Sequence, residues 1–204
     1  MREVTALFWD VGGVILTNGW DRNSRKQAVA KFGLDWEEFV DRHDLANPAF
    51  EMGEISLDDY LHRTVFYRSR PFAPEEFKEF LFAQSRELPE SRALLDRLTG
   101  GGCKYLVATI NNEGGGVNEH RIDTFELRRN FTAFFSSCYV GLRKPDEAIY
   151  RLALEVTRRE PEECVFIDDR PMNVEYAARL GMRAIQFQSA AALEQELSRH
   201  GVSV

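Results

Sequence analysis

The alternation of short apolar runs with segments of helical spacing constrains this chain more than any other feature of its sequence. Residues 4–9 (VTALFW) are rich in β-branched and aromatic side chains and stop at Asp10 and the turn pair Gly12-Gly13. That pattern predicts a buried strand ending in a loop. Similar runs occupy residues 105–108, 164–167 and 184–187, and Phe134-Phe135 marks a weaker one. Helical spacing fills residues 91–98, 117–127, 145–156, 171–180 and 190–197, with glycines closing segments and Pro145 and Pro171 near helix starts. Strands that alternate with helices of this length predict a Rossmann-like α/β fold, a mostly parallel sheet with helices on both faces.

Residues 17–88 break the rhythm. They carry amphipathic patterns interrupted at Gly33, Asn47-Pro48, Gly53 and Pro71 to Pro74, with no convincing strand. Ser56 followed by Asp59 has the spacing of a helix-capping pair. The reading is a four-helix cap over 17–88, inserted into an α/β core formed by 1–16 and 89–204. Phe77, Phe80, Leu81 and Phe82 fall at helical spacing and are expected to pack the cap.

Composition narrows the functional classes. Asp and Glu number 33 against 26 Lys and Arg, a formal net charge of -7, without the basic stripe expected of a nucleic-acid binder. No apolar run approaches the roughly 18 residues of a membrane span. Three cysteines without paired spacing argue against a disulfide framework or a zinc site and fit a reducing cytoplasm. The expectation is a cytoplasmic protein, monomer or homodimer, with no nucleic-acid or membrane partner.

Ligands of open parallel sheets bind at the carboxyl ends of the strands. The first strand delivers Asp10 there, the run at 105–108 leads into Thr109-Ile110-Asn111-Asn112, and the run at 164–167 delivers Asp168-Asp169. Lys144 precedes Pro145 at a helix start, and an X–Pro bond at this place tolerates the cis form. Carboxylates directly after buried strands are costly unless paired, exposed or bound to a cation, and hard oxygen donors suit Mg²⁺. Glu113-Gly114-Gly115-Gly116 reads as a flexible connection in preference to an anion-cradling nest.

The ordered motifs carry a resemblance. FWDVGGVIL (8–16), GLRKPD (141–146) and FIDDR (166–170) resemble the first, third and fourth motifs of haloacid dehalogenase superfamily hydrolases, and the similarity extends through GEIS (53–56) in the cap. It is nearest the branch of bacterial sugar-1-phosphate phosphatases and the phosphatase domain of soluble epoxide hydrolase. The resemblance implies Mg²⁺-dependent hydrolysis of small phosphorylated metabolites through an aspartyl-phosphate on Asp10. It implies metal ligands at the Asp10 carboxylate, the Gly12 carbonyl and Asp169, with Asp168 either a further ligand or a supporting carboxylate. Lys144 is then a catalytic point charge that also binds the substrate, as Gly12 does. A catalytically silent relative and a metal-free 2-haloacid dehalogenase are the alternatives.

Two positions depart from the family pattern. Gly12 stands where most of these phosphatases have a second Asp as general acid and base, whose absence costs on the order of 10²–10⁴ in rate. Rates are therefore expected to fall steeply as the leaving-group pKa rises. In the second motif Ile110 takes the place of the phosphate-binding Ser or Thr, with Thr109 one residue early and Asn111 the preferred substitute. Trp20, Asp21 and Arg22 follow the first motif closely and are expected at the cavity. His43 and His62 are the cap residues capable of acid chemistry, with neither assigned.

Overall fold

A computed structural model describes residues 2–203. Its centre is a parallel sheet of β1 (Ala6–Trp9), β2 (Leu106–Asn111), β3 (Ala133–Ser136), β4 (Cys164–Asp168) and β5 (Arg183–Gln186), in the order β3-β2-β1-β4-β5. Between β1 and β2 lie α1 (Arg22–Phe32), α2 (Trp36–Glu51), α3 (Leu57–Thr64), α4 (Pro74–Phe82) and α5 (Pro89–Thr99). Then come α6 (Gly115–Thr124), the single turn α7 (Ser137–Val140), α8 (Glu147–Thr157), α9 (Pro171–Arg179) and α10 (Ala190–Arg199).

Alternation along the strands builds two cores. Leu7, Trp9, Val107, Val165 and Ile167 face α5, α6 and α10, whereas Phe8, Ala108, Ile110 and Phe166 face α8 and α9. Both faces are apolar because each is covered by helices. β1, which carries Asp10, lies at the centre between β2 and β4.

Helices α1 to α4 pack around a third apolar cluster, with Phe77 and Leu81 fully buried and Phe80 and Phe82 partly so. Aromatic edges knit it, including Trp20 against Phe77 at 5.9 Å between centroids and Phe50 stacked on Tyr60 at 4.6 Å. Ser56 and Asp59 form the reciprocal capping pair that their spacing predicts. The expected break at Asn47-Pro48 is absent. α2 runs through Pro48, which sits in its last turn, so the hydrogen bond forfeited by the missing N–H falls near the helix end. The two connections to this helical layer run side by side, Thr17 N–H donating to Arg86 O at 2.8 Å and Leu88 N–H to Ile15 O at 2.9 Å.

Two further expectations change. β2 continues to Asn111, three residues past the run at 105–108, so Thr109, Ile110 and Asn111 lie within the strand and not beyond it. Gly114-Gly115-Gly116 are no flexible connection, since they cap and begin α6. A side chain at Gly114 would collide with the Phe50 ring, so glycine there lets α6 meet the cap. No helix among the described residues is long and apolar enough to cross a membrane, and all three cysteines are free.

Candidate active site

Asp10, Asp168 and Asp169 converge at the carboxyl edge of the sheet, each offering an oxygen within 4.8 Å of the others'. They come together because β1 and β4 are neighbours in register, Trp9 beside Ile167, and the chain leaves both strands at the same level. Lys144 reaches the same point from the loop before α8, through a cis Lys144–Pro145 bond. Its Nζ lies 3.0 Å from Asp10 Oδ1 and 2.5 Å from Asp168 Oδ2.

The three carboxylates are used differently. Asp168 is fully buried and saturated: Arg170 N–H donates to Oδ1 at 2.8 Å, Asn173 Nδ2 lies 3.0 Å from both oxygens, and Lys144 takes Oδ2. Asp10 accepts at Oδ1 from Val11 N–H, 2.8 Å, and from Lys144, and no donor among the described residues reaches its Oδ2. Asp169 accepts a long bond from Asn18 Nδ2, 3.3 Å, while its buried Oδ1 has no partner among the described residues. An orphaned buried carboxylate oxygen beside an open one is the donor set a hard divalent cation requires. The backbone makes room for it at Gly13, whose φ of +77° suits glycine and where a Cβ would run into the Asp169 carboxylate.

Burial pushes the Asp10 carboxyl up to about 7, Lys144 pulling against it and Asp168 adding to it. Burial alone would lower the Lys144 ammonium, but Asp10 and Asp168 together hold it above its ordinary value. The lysine is thus held in its charged form beside the Asp10 carboxyl.

Above this floor lies a cavity of about 580 Å³ between the sheet edge and the cap. Asp10, Gly12 and Lys144 open onto it, as do Trp20, Asp21 and Arg22. Thr109 and Ile110 do not: both are fully buried, on opposite faces of the sheet, and Thr109 Oγ1 has no partner among the described residues. Asn111 is also withdrawn from the cavity, its Oδ1 accepting from Ser136 Oγ at 2.8 Å and its Nδ2 donating to Asn118 Oδ1 at 3.0 Å. The reason is the extra length of β2. Asn112 is the second-motif residue that reaches the cavity, and its amide brackets the Lys144 backbone with two 2.8 Å bonds.

Sequence reasoning passed over Asn112, Asn173, Asn18, Glu113 and Arg121. Asn112 and Glu113 were within the motif and masked by the assumed strand end. Asn173 sits five residues after Asp168 in the first turn of α9, which turns its amide back onto the strand end. Arg121, inside α6, left no linear signal.

In the roof, Trp20 Nε1 donates to Tyr60 Oη at 2.8 Å, and Tyr60 Oη lies 2.7 Å from His43 Nδ1. Among the described residues His43 Nδ1 is the acceptor available to the buried Tyr60 proton, which leaves the ring proton on Nε2. Burial, helped by Arg25, lowers His43 to about 4, so it is neutral at neutral pH and no general acid. His62 is exposed on α3 and does not line the cavity.

Comparison with known proteins bears on this arrangement. A family model described as haloacid dehalogenase-like hydrolase matches residues 4–181. Flavin mononucleotide hydrolase 1, chloroplatic, of Arabidopsis thaliana is 29% identical over 204 residues, covering all of this chain and 80% of that one. Sesquiterpene phosphatase astK of Aspergillus oryzae is 28% identical over 200 residues, 94% of each chain. Bifunctional epoxide hydrolase 2 of Sus scrofa is 38% identical over 220 residues, but this chain spans 38% of its length. Among solved structures, an enzyme of the same family from Bacteroides thetaiotaomicron, in complex with magnesium and inorganic phosphate, superposes with a TM-score of 0.77. That match is at 20% identity and covers 91% of this chain and 94% of the other.

Proposed function

Since the chain belongs to the haloacid dehalogenase-like hydrolases, we propose that it is a Mg²⁺-dependent phosphomonoesterase of small phosphorylated metabolites, with Asp10 as nucleophile. The observation that carries this reading is the pair of unspent oxygens, Asp10 Oδ2 and Asp169 Oδ1, beside a buried ammonium. Asp10 and Asp169, with the Gly12 carbonyl, would hold the metal. When bound, Mg²⁺ supplies the positive charge that screens the repulsion between an attacking carboxylate and a phosphate dianion.

The residues of the chain account for the remainder. Val11 N–H and Lys144 both hold Asp10 Oδ1, which fixes the nucleophilic carboxylate in one orientation. Attack forms the Asp10–phosphate bond as the ester P–O bond breaks, and water then hydrolyses the aspartyl-phosphate. Lys144 stabilises the transferring phosphoryl group, held at its station by Asp168, which Asn173 and Arg170 N–H hold in turn. Asp168 on this reading serves Lys144 and not the metal, since both its oxygens are taken. The cap, residues 17–88, closes the cavity and selects the organic part of the substrate.

The test is turnover of p-nitrophenyl phosphate and acetyl phosphate. Activity is expected with Mg²⁺, lost with EDTA, and lowered on the order of 10⁴-fold or more in Asp10→Asn. Turnover that survives both EDTA and the substitution would sink the proposal.

A further inference from the structure

Position 12 is a glycine where the family pattern places the acid that protonates the departing oxygen, and the space that its side chain would enter is not empty. A Cβ on Gly12 would lie 3.5 Å from Arg121 Nη1 and 3.2 Å from Asn18 Oδ1. We propose that Arg121 is a catalytic residue that stabilises the leaving oxygen as an anion, in the place where a second aspartate would have protonated it. The inference rests on the phosphomonoesterase reading and deepens it.

The local backbone is shaped around this guanidinium. Gly19 has φ of +65°, and a Cβ there would collide with Arg121 Nη2, so two glycines on the loop after β1 leave room for one side chain. Arg121 is 2% exposed and is clasped on three sides. Its Nη1 pairs with Glu113 Oε2 at 2.7 Å, Nε donates to Ser85 Oγ at 2.9 Å, and Nη2 donates to Thr17 O at 3.0 Å. A guanidinium carries five N–H groups. Three are engaged, which leaves one on each terminal nitrogen, and Arg121 lines the cavity with Asp10 and Lys144. A buried cation held rigidly by a buried carboxylate, with two donors unspent at the wall of a cavity, suits an anion.

An arginine does not give up its proton at any working pH, so its contribution differs from that of a carboxylic acid. As Asp10 attacks, the P–O bond to the leaving group breaks and its electron pair stays on the oxygen. Arg121 donates hydrogen bonds to that developing charge, and the oxygen takes its proton from water after it has departed. The stabilisation grows with the charge on the oxygen. It is largest for leaving groups of high pKa and small for nitrophenolate, which is already stable as an anion.

The experiment is a series of aryl phosphates from p-nitrophenyl through phenyl to 4-methylphenyl phosphate, with kcat/KM measured for the wild type, Arg121→Met, Arg121→Lys and Ser85→Ala. Arg121→Met is expected to lose on the order of 10²-fold on 4-methylphenyl phosphate and less than about 10-fold on the nitrophenyl ester, steepening the dependence on leaving-group pKa. Arg121→Lys is expected to fall between the two, and it carries the test should the methionine variant not fold. Ser85→Ala loosens the clasp without removing a free N–H and is expected to leave the slope as in the wild type. Equal losses across the series in both arginine variants would assign Arg121 a purely structural role and overturn the proposal. Failure of the wild type to hydrolyse any ester would instead overturn the phosphomonoesterase reading itself.

Discussion

The floor and the roof of the cavity are built by different physics. Floor groups are charged, buried and bound to one another: Lys144 bridges Asp10 and Asp168, and Asn173 and Asn112 fix the bridge from either side. The roof is mixed: Asp21, Arg22, Arg25 and Glu51 line it beside Trp20, His43 and Phe50, and the buried polar chain from Trp20 through Tyr60 to His43 carries no charge. A charged floor suits interactions that strengthen as charge moves in a transition state. The neutral part of the roof, which shapes the cavity around the substrate's organic portion, contributes equally to ground and transition states. The contrast predicts that floor substitutions lower kcat and roof substitutions raise KM.

The largest departure is expected from Lys144→Met. It leaves Asp10 and the fully buried Asp168 facing each other without the intervening cation. Removing one partner of a buried ionic network typically costs about 3–5 kcal/mol, and loss of the charge at the phosphoryl group lowers kcat on the order of 10²–10³. Calorimetry and steady-state kinetics check both numbers. A lysine variant altered in KM alone would erase the distinction between floor and roof.

Asp169→Asn follows in size. Wild-type protein is expected to gain thermal stability with Mg²⁺, by about 2.7 kcal/mol at a hundredfold excess over Kd. The asparagine keeps the Asn18 contact within reach but cannot offer the metal a carboxylate, so most of that gain is expected to vanish. A full Mg²⁺ shift in Asp169→Asn would move the cation elsewhere on the floor, with Asp168 the next candidate.

The floor was also far more legible from sequence than the roof. Asp10, Asp168 and Asp169 end central apolar strands, a placement too costly to be incidental, and the parallel order brings their strands side by side. The second motif misled because Thr109 and Ile110 look like a strand end, whereas β2 pairs with β3 through Asn111 and Ser136. Pairing to a neighbour, which no local pattern encodes, sets where a strand stops. Arg121 was invisible for a similar reason: its partners Thr17, Ser85 and Glu113 come from three separate segments. In the cap, periodicity located the four helices, but which of their residues turn toward the cavity depends on how the layer docks on α6.

The smallest and most diagnostic effect is expected in the roof. His43→Phe keeps the stacking on Phe39 and removes the acceptor of the Tyr60 proton, leaving a buried hydroxyl unsatisfied at a cost of about 1–3 kcal/mol near neutral pH. The sign of its pH dependence follows from the lowered pKa. Between 6.5, where an unfolded histidine titrates, and about 4, where His43 titrates in the fold, the unfolded chain binds the extra proton. Wild-type stability from this residue is therefore present above pH 6.5 and is lost as pH falls toward 4, whereas the phenylalanine variant has nothing to lose there. The difference in unfolding free energy between the two, measured by denaturant titration across that window, is expected to shrink steadily on acidification. Asp10 titrates in both proteins and cancels from the difference. A constant gap would mean that His43 binds its proton in the fold at least as well as in the unfolded chain and is charged across that window, so that the polar chain of the roof would carry charge there.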